Sequence, residues 1–156
     1  AGEKNDDLLI AQQVAIGALK YMILRSAPGS NVIFDPEKSL SLDGDSGPYL
    51  QYALVRARKI LAYEGEGGNE VPAEPYAIER LIIRYPEVTR RARAELAPHH
   101  IAQYLTELAG AWNAFYANEQ VLGSPEEAYK QKVAKAFLIT MENGLSLLGI
   151  PAPERM

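Results

Sequence analysis

The sequence predicts an all-α protein built as a single helical bundle. Apolar residues recur at helical spacing through most of the chain, the stretches between them are rich in Gly and Pro, and no strand pattern stands out. With 156 residues, 47% of them hydrophobic and 23% charged, the chain has the composition of one ordinary domain with a proper core. We see neither an internal repeat nor a second core, so one bundle is expected.

The first helix is predicted over residues 6–24. Its apolar residues follow Asp6 and Asp7, whose negative charges suit a helix N-terminus. The next stretch, residues 26–47, mixes Gly, Pro, Asn and Asp around one apolar patch, Val32-Ile33-Phe34. This composition predicts a structured connection with little or no strand.

The second long helix is predicted to begin at Gly47-Pro48, because proline suits the first helical turn. One face gathers the apolar residues that a bundle would bury. Another face gathers tyrosines and cations, namely Tyr49, Tyr52, Arg56, Lys59 and Tyr63. Such a face fits either tyrosines packed beside solvated cations or a surface for stacked bases and phosphates.

The second half of the chain is expected to hold a loop and four helices. Residues 64–75 are acidic and rich in Gly and Pro, which predicts the most flexible loop in the molecule. A helix from Tyr76 should break at Pro86 and be followed by a short helix. Pro98 should open a third helix, with Trp112 and Phe115 on its buried face. The last helix should start at a capped segment, residues 124–127, and end at Gly149.

Composition and motifs argue against catalysis, metal binding or membrane insertion. The chain lacks cysteine, and the adjacent His99 and His100 would point about 100° apart on a helix. No nucleophile turn or phosphate-binding loop occurs, and Asp43 and Asp45 fit a turn better than a calcium loop. We therefore expect no catalytic, cofactor or metal residue. No apolar run approaches the roughly 20 residues of a membrane span, so we expect a cytoplasmic protein without membrane contact.

Charge limits any nucleic-acid surface to a local patch. The net charge of −4 opposes binding by bulk charge, but half of the cations lie in the middle segment, residues 56–93. The run "TRRARAE", residues 89–95, could contact phosphate or form a solvated face. Candidate phosphate contacts are Lys59, Arg90 and Arg91.

Several segments together resemble the C-terminal part of the arginyl-tRNA synthetases, class I enzymes that carry an anticodon-binding domain of the DALR type. The segments that carry the resemblance are "VAIGALKYMIL" (14–24), "IFDPEKSLSLDGDSGPYLQYALVRARKI" (33–60), "PHHIAQYLTELAGAWNAFYANEQVL" (98–122) and "ENGLSLLGIPAPERM" (142–156). Their order and spacing agree with the family. The resemblance covers nearly the whole chain.

The resemblance implies one helical anticodon-binding domain over residues 1–156, taken from the C-terminal end of a longer synthetase. The signatures of the nucleotide-binding catalytic domain do not occur, so the chain alone should be inactive. The full-length enzyme would use ATP and arginine to charge arginine tRNA. The implied partners are that tRNA and the missing catalytic domain, but neither DNA nor a second copy.

The resemblance also implies which residues contact RNA. Aromatic and basic side chains on the helices would hold the unstacked anticodon bases, which places Tyr49, Tyr52, Arg56, Tyr116, Arg155 and Met156 in the site. The last helix departs from the family pattern at "YKQKVAK", where Lys130 and Lys132 are further candidates for phosphate contact.

Two alternatives stay open on the sequence. The tyrosine and arginine face could dock a protein in a helical interaction module without an RNA role. The chain could also be the anticodon domain of a synthetase for another amino acid, although "SGPYLQYA" and the terminal "PERM" favour arginine.

Overall fold

Seven helices form the architecture in the computed structural model, which describes residues 2–33, 35–63 and 65–156. Their bounds are Gly2–Leu24 (α1), Pro36–Ser39 (α2), Gly47–Leu61 (α3), Ala77–Ile82 (α4), Tyr85–Ala94 (α5), His99–Asn118 (α6) and Glu127–Leu147 (α7). No strand occurs within these described ranges. The predicted all-α bundle is confirmed. Phe34 and Glu64, which belong to the predicted patch and loop, lie outside the described residues.

Helix α3 is the centre of the bundle and packs against α1, α6 and α7. It begins as predicted at Gly47-Pro48, where the Ser46 side chain caps it by accepting the Tyr49 N–H at 3.1 Å. Leu50 and Leu54 on its apolar face are completely buried. Trp112 of α6 stacks on Phe137 of α7 with ring centroids 4.6 Å apart. The predicted core role of Trp112 is therefore confirmed.

The backbones of helices α1 and α3 are in direct contact. A Cβ atom on Gly47 would collide with the Gly17 carbonyl, and one on Gly17 would collide with the Gln51 amide. Further along α1, the buried Tyr21 hydroxyl bonds to Asp45 and Thr106, and burial raises the pKa of this phenol. These contacts fix the direction of α1 across the bundle.

Helix α1 is more apolar than its packing requires. By length and composition alone its segment Asp6–Leu24 could cross a membrane, and the sequence analysis did not anticipate this. Only 17% of the window is buried inside the bundle. Leu8, Leu9 and Leu19 are exposed. The packed face, through Ala18 and Tyr21, explains only part of the apolar composition.

The turn between α5 and α6 places a leucine where glycine is usual. The Ala97 N–H bonds to the Ala92 carbonyl at 2.9 Å and the Leu96 N–H to the Arg93 carbonyl at 3.3 Å, the pattern of a Schellman cap. Leu96 adopts the left-handed conformation, with φ of 50°, and its side chain is 82% exposed. The turn therefore carries backbone strain without burying the leucine.

The acidic glycine-rich segment after α3 is tied to the start of α7. The N–H of Gly68 bonds to the Ser124 carbonyl and the N–H of Glu70 to the Pro125 carbonyl, each at 2.9 Å. A Cβ atom on Gly68 would collide with the same Pro125 carbonyl. The prediction of a flexible loop is thus wrong for this part, because main-chain bonds hold it.

Helix α7 starts at Glu127 rather than at a serine cap. Ser124 donates its hydroxyl to Val121 instead of capping the helix. The buried Glu127 carboxylate bends back and accepts the Gly123 N–H at 2.6 Å. A negative charge in the first turn of a helix is favourable. Gly123 lies before α7, so this bond joins the preceding turn to the helix and does not cap one of the helix's own N–H groups.

Candidate nucleic-acid interface

Arg56 lies between two tyrosine rings at the seam of α3 and α6. The carbon of its guanidinium group is 4.5 Å from the centroid of the Tyr52 ring and 4.9 Å from that of Tyr116. Its Nη1 also donates to Oδ1 of Asn113 at 3.3 Å. We name Tyr52, Arg56, Asn113 and Tyr116 the aromatic–arginine cluster. It combines two π faces with a charge and an amide, the groups that bind unpaired bases and phosphates.

Helical spacing explains how the cluster assembles. Tyr52 and Arg56 are four residues apart on α3, while Asn113 and Tyr116 are three apart on α6, so each pair shares one helix face. Tyr116 is 41% exposed. Its ring lies 6.2 Å from that of the buried Trp112. The cluster is open to solvent but rests on a packed core.

Tyr49 extends the same row of α3, but it belongs to the packing. Its ring is partly buried against the hydrophobic core, and its hydroxyl faces Gly110 of α6. Among the predicted tyrosines, the structure thus brings Tyr52 and Tyr116 together at Arg56 and sets Tyr49 deeper in the seam.

Arg155 and Met156 lie at the end of a tail that crosses a different face of α3. Gln51 and Arg58 hold the tail through the carbonyl oxygens of residues 151–153. Arg155 reaches Oδ1 of Asp7 on α1 at 3.4 Å. Within the described ranges, no hydrogen bond or ion pair joins Arg155 to the aromatic–arginine cluster.

Lys130 is not available to phosphate, which corrects the prediction for this residue. It is 6% exposed, and its Nζ lies 2.9 Å from Oε2 of Glu119 and 3.4 Å from Oε2 of Glu126. It also donates to the Gln120 carbonyl at 3.2 Å. Burial acts to lower the pKa of Lys130, but the hydrogen bonds that its ammonium group forms with Glu119 and Tyr76 raise the pKa overall, so the group is a structural cation.

The other candidate phosphate contacts are exposed but scattered. Lys59 follows Arg56 by three residues on α3 and forms no ion pair in the described part of the chain. Arg90 lines a shallow groove beside Leu96, and Arg91 pairs with Glu95 at 2.9 Å. Lys132 lies on α7 next to Tyr129. Lys59 is thus the candidate that extends the cluster along α3.

Sequence reasoning missed Asn113, Gln51 and Arg58. Asn113 carried a signal, because it lies one turn before Tyr116 and therefore shares its face. Arg58 was visible only as one of several cations, and Gln51 only as a polar residue in an apolar row. Among the described residues, no group of three or more acidic or histidine side chains could hold a metal ion.

Comparison with known proteins places this arrangement in a family. The model of the DALR anticodon binding domain matches residues 50–156. The chain belongs to the DALR anticodon-binding domain family. The aromatic–arginine cluster and the C-terminal tail lie inside the matched range of this DALR domain, whereas α1 and Tyr49 precede it.

Curated relatives of the DALR domain are arginine–tRNA ligases. The domain is 38% identical over 159 residues to the ligase of Thermus thermophilus, and this alignment covers 94% of the present chain and 27% of the relative. The domain is also 39% identical over 155 residues to the ligase of Ignicoccus hospitalis, and this alignment covers 94% of the present chain and 25% of the relative. The DALR domain therefore spans about a quarter of the length of these relatives.

Solved structures agree with the fold of the DALR domain. Thermus thermophilus arginyl-tRNA synthetase superposes with a TM-score of 0.86 at 35% identity, covering 94% of this chain and 27% of that one. Arginyl-tRNA synthetase from Plasmodium falciparum superposes with a TM-score of 0.84 at 20% identity, covering 95% of this chain and 28% of that one. The second likeness supports the fold alone.

Proposed function

We propose that this DALR domain binds the anticodon arm of arginine tRNA as the C-terminal part of an arginine–tRNA ligase. The observation that carries the proposal is Arg56 held between the rings of Tyr52 and Tyr116 at an exposed seam. Anticodon bases are unstacked and are read by stacking and by hydrogen bonds to their edges. The membership in the family and the identity of the relatives support the choice of RNA and of arginine.

The proposal includes how the domain is used. Residues 1–156 act as one domain beside a catalytic domain that takes ATP and arginine and forms the aminoacyl-tRNA. The protein works in the cytoplasm as a monomer and binds neither DNA nor a membrane. The fraction of the relatives that the chain spans supports a longer enzyme.

Within the cluster each group has a distinct role. The Tyr116 ring, which is partly exposed, stacks on a base, and the Tyr52 ring holds Arg56 by a cation–π contact. Arg56 supplies the positive charge for phosphate or the donors for a base edge. Lys59, on the next turn of α3, adds charge for the backbone of the same loop. Asn113 keeps the guanidinium group oriented.

A salt series of tRNA binding tests the proposal. Purified protein is titrated with an arginine tRNA transcript and with an unrelated tRNA, and log Kd is plotted against log salt. We expect preference for arginine tRNA that persists as salt rises, because base contacts do not release counterions. Equal affinity for both tRNAs at every salt concentration would exclude anticodon reading.

Replacement of Arg56 by alanine separates its two possible partners. If Arg56 contacts a phosphate, the salt slope falls by about one counterion, whereas loss of a base-edge contact relaxes discrimination at one anticodon position. Arg84→Ala is the matched control. Arg84 forms an exposed ion pair with Glu107 at 3.1 Å, away from the cluster, and should change neither quantity.

A further inference from the structure

Two side chains on one face of α3 hold the C-terminal tail. Gln51 and Arg58 are seven residues apart, which is two helical turns. Nε2 of Gln51 donates to the Pro151 carbonyl at 2.9 Å. Nη1 of Arg58 donates to the Pro153 carbonyl at 2.6 Å and to that of Ala152 at 3.3 Å. Three consecutive carbonyl groups of the tail are thus bound from one helix.

Both holding side chains are themselves fixed. Gln51 is completely buried, and its Nε2 also donates to the Gln13 carbonyl of α1 at 3.1 Å. Nη2 of Arg58 pairs with Oε1 of Glu142 on α7 at 2.6 Å. A planar guanidinium group can serve a carboxylate and two carbonyls at once, which an ammonium group cannot do with the same geometry. The tail is therefore joined to three helices.

The tail has little freedom of its own between these contacts. Pro151 and Pro153 have a fixed φ and no N–H, so their carbonyl groups are the main-chain groups left to bond. Pro153 is buried. Just before them, Lys20 of α1 donates to the Gly149 carbonyl at 2.5 Å. The path of the tail is set up to residue 153.

The direction of the tail brings its end to the level of the cluster. Because residue 151 meets Gln51 and residue 153 meets Arg58, the tail runs in the same direction as α3. Arg58 is two residues beyond Arg56, about 3 Å along the helix axis. The terminal pair, Arg155 and Met156, therefore follows the tail toward the C-terminal end of α3. It starts from another face of the helix, because two residues correspond to about 200° of rotation around the axis. Arg155 is exposed, and among the described residues its side chain pairs with the exposed Asp7 alone, so it can turn toward a ligand.

We propose that Gln51 and Arg58 are positioning residues for RNA binding. They hold the tail so that Arg155 and Met156 are already in place to contact the anticodon arm when the tRNA binds. This inference rests on the proposed function. A tail ordered before binding loses less conformational entropy on binding than a free one, which is a gain in affinity without a new contact. Arg58 and Gln51 themselves touch no RNA.

The test is a double-mutant cycle in the full chain. Arg58→Ala is combined with deletion of residues 155 and 156, and arginine tRNA transcript is the probe. We expect Arg58→Ala and the deletion each to weaken binding about fivefold to tenfold, and the combination to be no weaker than the deletion alone. The control Arg84→Ala, which also removes an ion-paired arginine, should leave affinity unchanged.

A second readout follows the tail without RNA. Carboxypeptidase should release Met156 and Arg155 faster from Arg58→Ala than from wild type or Arg84→Ala. If Arg58→Ala fails to fold, Arg58→Lys and Glu142→Gln loosen the same clamp with smaller changes, and the cycle is run with them.

The outcomes separate the inference from the proposed function. Faster carboxypeptidase release with unchanged tRNA affinity, while the deletion weakens binding, overturns the positioning role and leaves the function standing. Additive effects of Arg58→Ala and the deletion overturn it as well, because Arg58 would then act independently of the tail. If neither the deletion nor Tyr116→Ala changes tRNA binding, the proposed function itself fails.

Discussion

Arg56 contacts three side chains through one guanidinium group. Its central carbon lies over the rings of Tyr52 and Tyr116, and its Nη1 donates to Asn113. Asn113 is 57 residues away in sequence. Periodicity within α3 could therefore predict the pairing of Tyr52 with Arg56, but not the partners from α6, since these depend on how two helices meet. Tyr116 and the neighbouring Phe115 show the same limit of sequence-based prediction. Both are aromatic, and only the packing of the helices determines that Phe115 is buried and Tyr116 is exposed.

Replacing Tyr116 by alanine should weaken binding of arginine tRNA about tenfold, since one base–aromatic stack is worth about 1–3 kcal/mol. The free energy of unfolding in urea should change by about 1 kcal/mol or less, because the side chain is 41% exposed and lies outside the core. Phe115→Ala is the control and should cost about 3–5 kcal/mol through the cavity it leaves. Early melting of Tyr116→Ala with normal tRNA binding would make the tyrosine a packing residue.

Lys130 and Lys132 make a matched pair on α7. Lys130→Ala should lower the free energy of unfolding by about 2–3 kcal/mol, because it leaves Glu119 and Glu126 without their buried cation, and should not alter the salt slope of tRNA binding. Lys132→Ala should leave stability within about 0.5 kcal/mol, since its side chain is exposed. A reduced salt slope for Lys130→Ala at full stability would contradict the structural assignment.

At the scale of elements, local signals predicted the six longer helices but not the four-residue α2, and they located some helix boundaries better than others. Gly47-Pro48, Pro86 and Pro98 marked starts and breaks correctly because proline acts within one turn. The start of α7 could not be read in the same way. Ser124 does not cap the helix, and the glycine-rich segment that covers Glu127 comes from elsewhere in the chain. Contacts of this kind decide whether a loop is loose or bound.

The turn after α5 offers a stabilising substitution. Leu96→Gly should raise the free energy of unfolding by about 1 kcal/mol, because glycine adopts positive φ without strain and the exposed leucine gives up no packing. Ala94→Gly, two residues earlier in regular helix, should instead lower it by up to about 1 kcal/mol. Chemical denaturation of both variants measures the difference, and a loss of stability for Leu96→Gly would mean that its side chain packs in solution.

The joint between α4 and α7 should respond to acid. The Tyr76 hydroxyl and Lys130 lower the pKa of the Glu126 carboxyl, and burial together with Glu126 raises the pKa of Tyr76 to about 12. A carboxyl whose pKa is lower in the folded state stabilises the fold above its ordinary pKa of 4.5 and loses this contribution as pH falls through the lowered value. Glu126→Gln should therefore flatten the acid side of the stability curve, measured by denaturation across pH. An unchanged curve would show that the contact contributes nothing.

At the scale of the molecule, the chain matches the anticodon-binding part of its relatives and spans about a quarter of their length. We expect the purified chain to show no arginine-dependent exchange of pyrophosphate with ATP, because the nucleotide-binding signatures of the catalytic domain do not occur in its sequence. A complete arginine–tRNA ligase run in parallel is the positive control. Exchange by this chain above the blank would refute the expectation.

Gln51 and Arg58 bind the tail through its main-chain oxygens, and this has an evolutionary consequence. Both contact carbonyl groups, which every amino acid carries, so substitutions at the half-buried residues 151 and 152 that keep an extended backbone can accumulate without releasing the tail. The buried Pro153 is constrained by its packing as well. The number of residues after Gly149 is less free. One inserted residue would carry the terminal pair about 3.3 Å beyond its place. Across descendants of this gene, we expect the tail to drift in composition while its length stays constant.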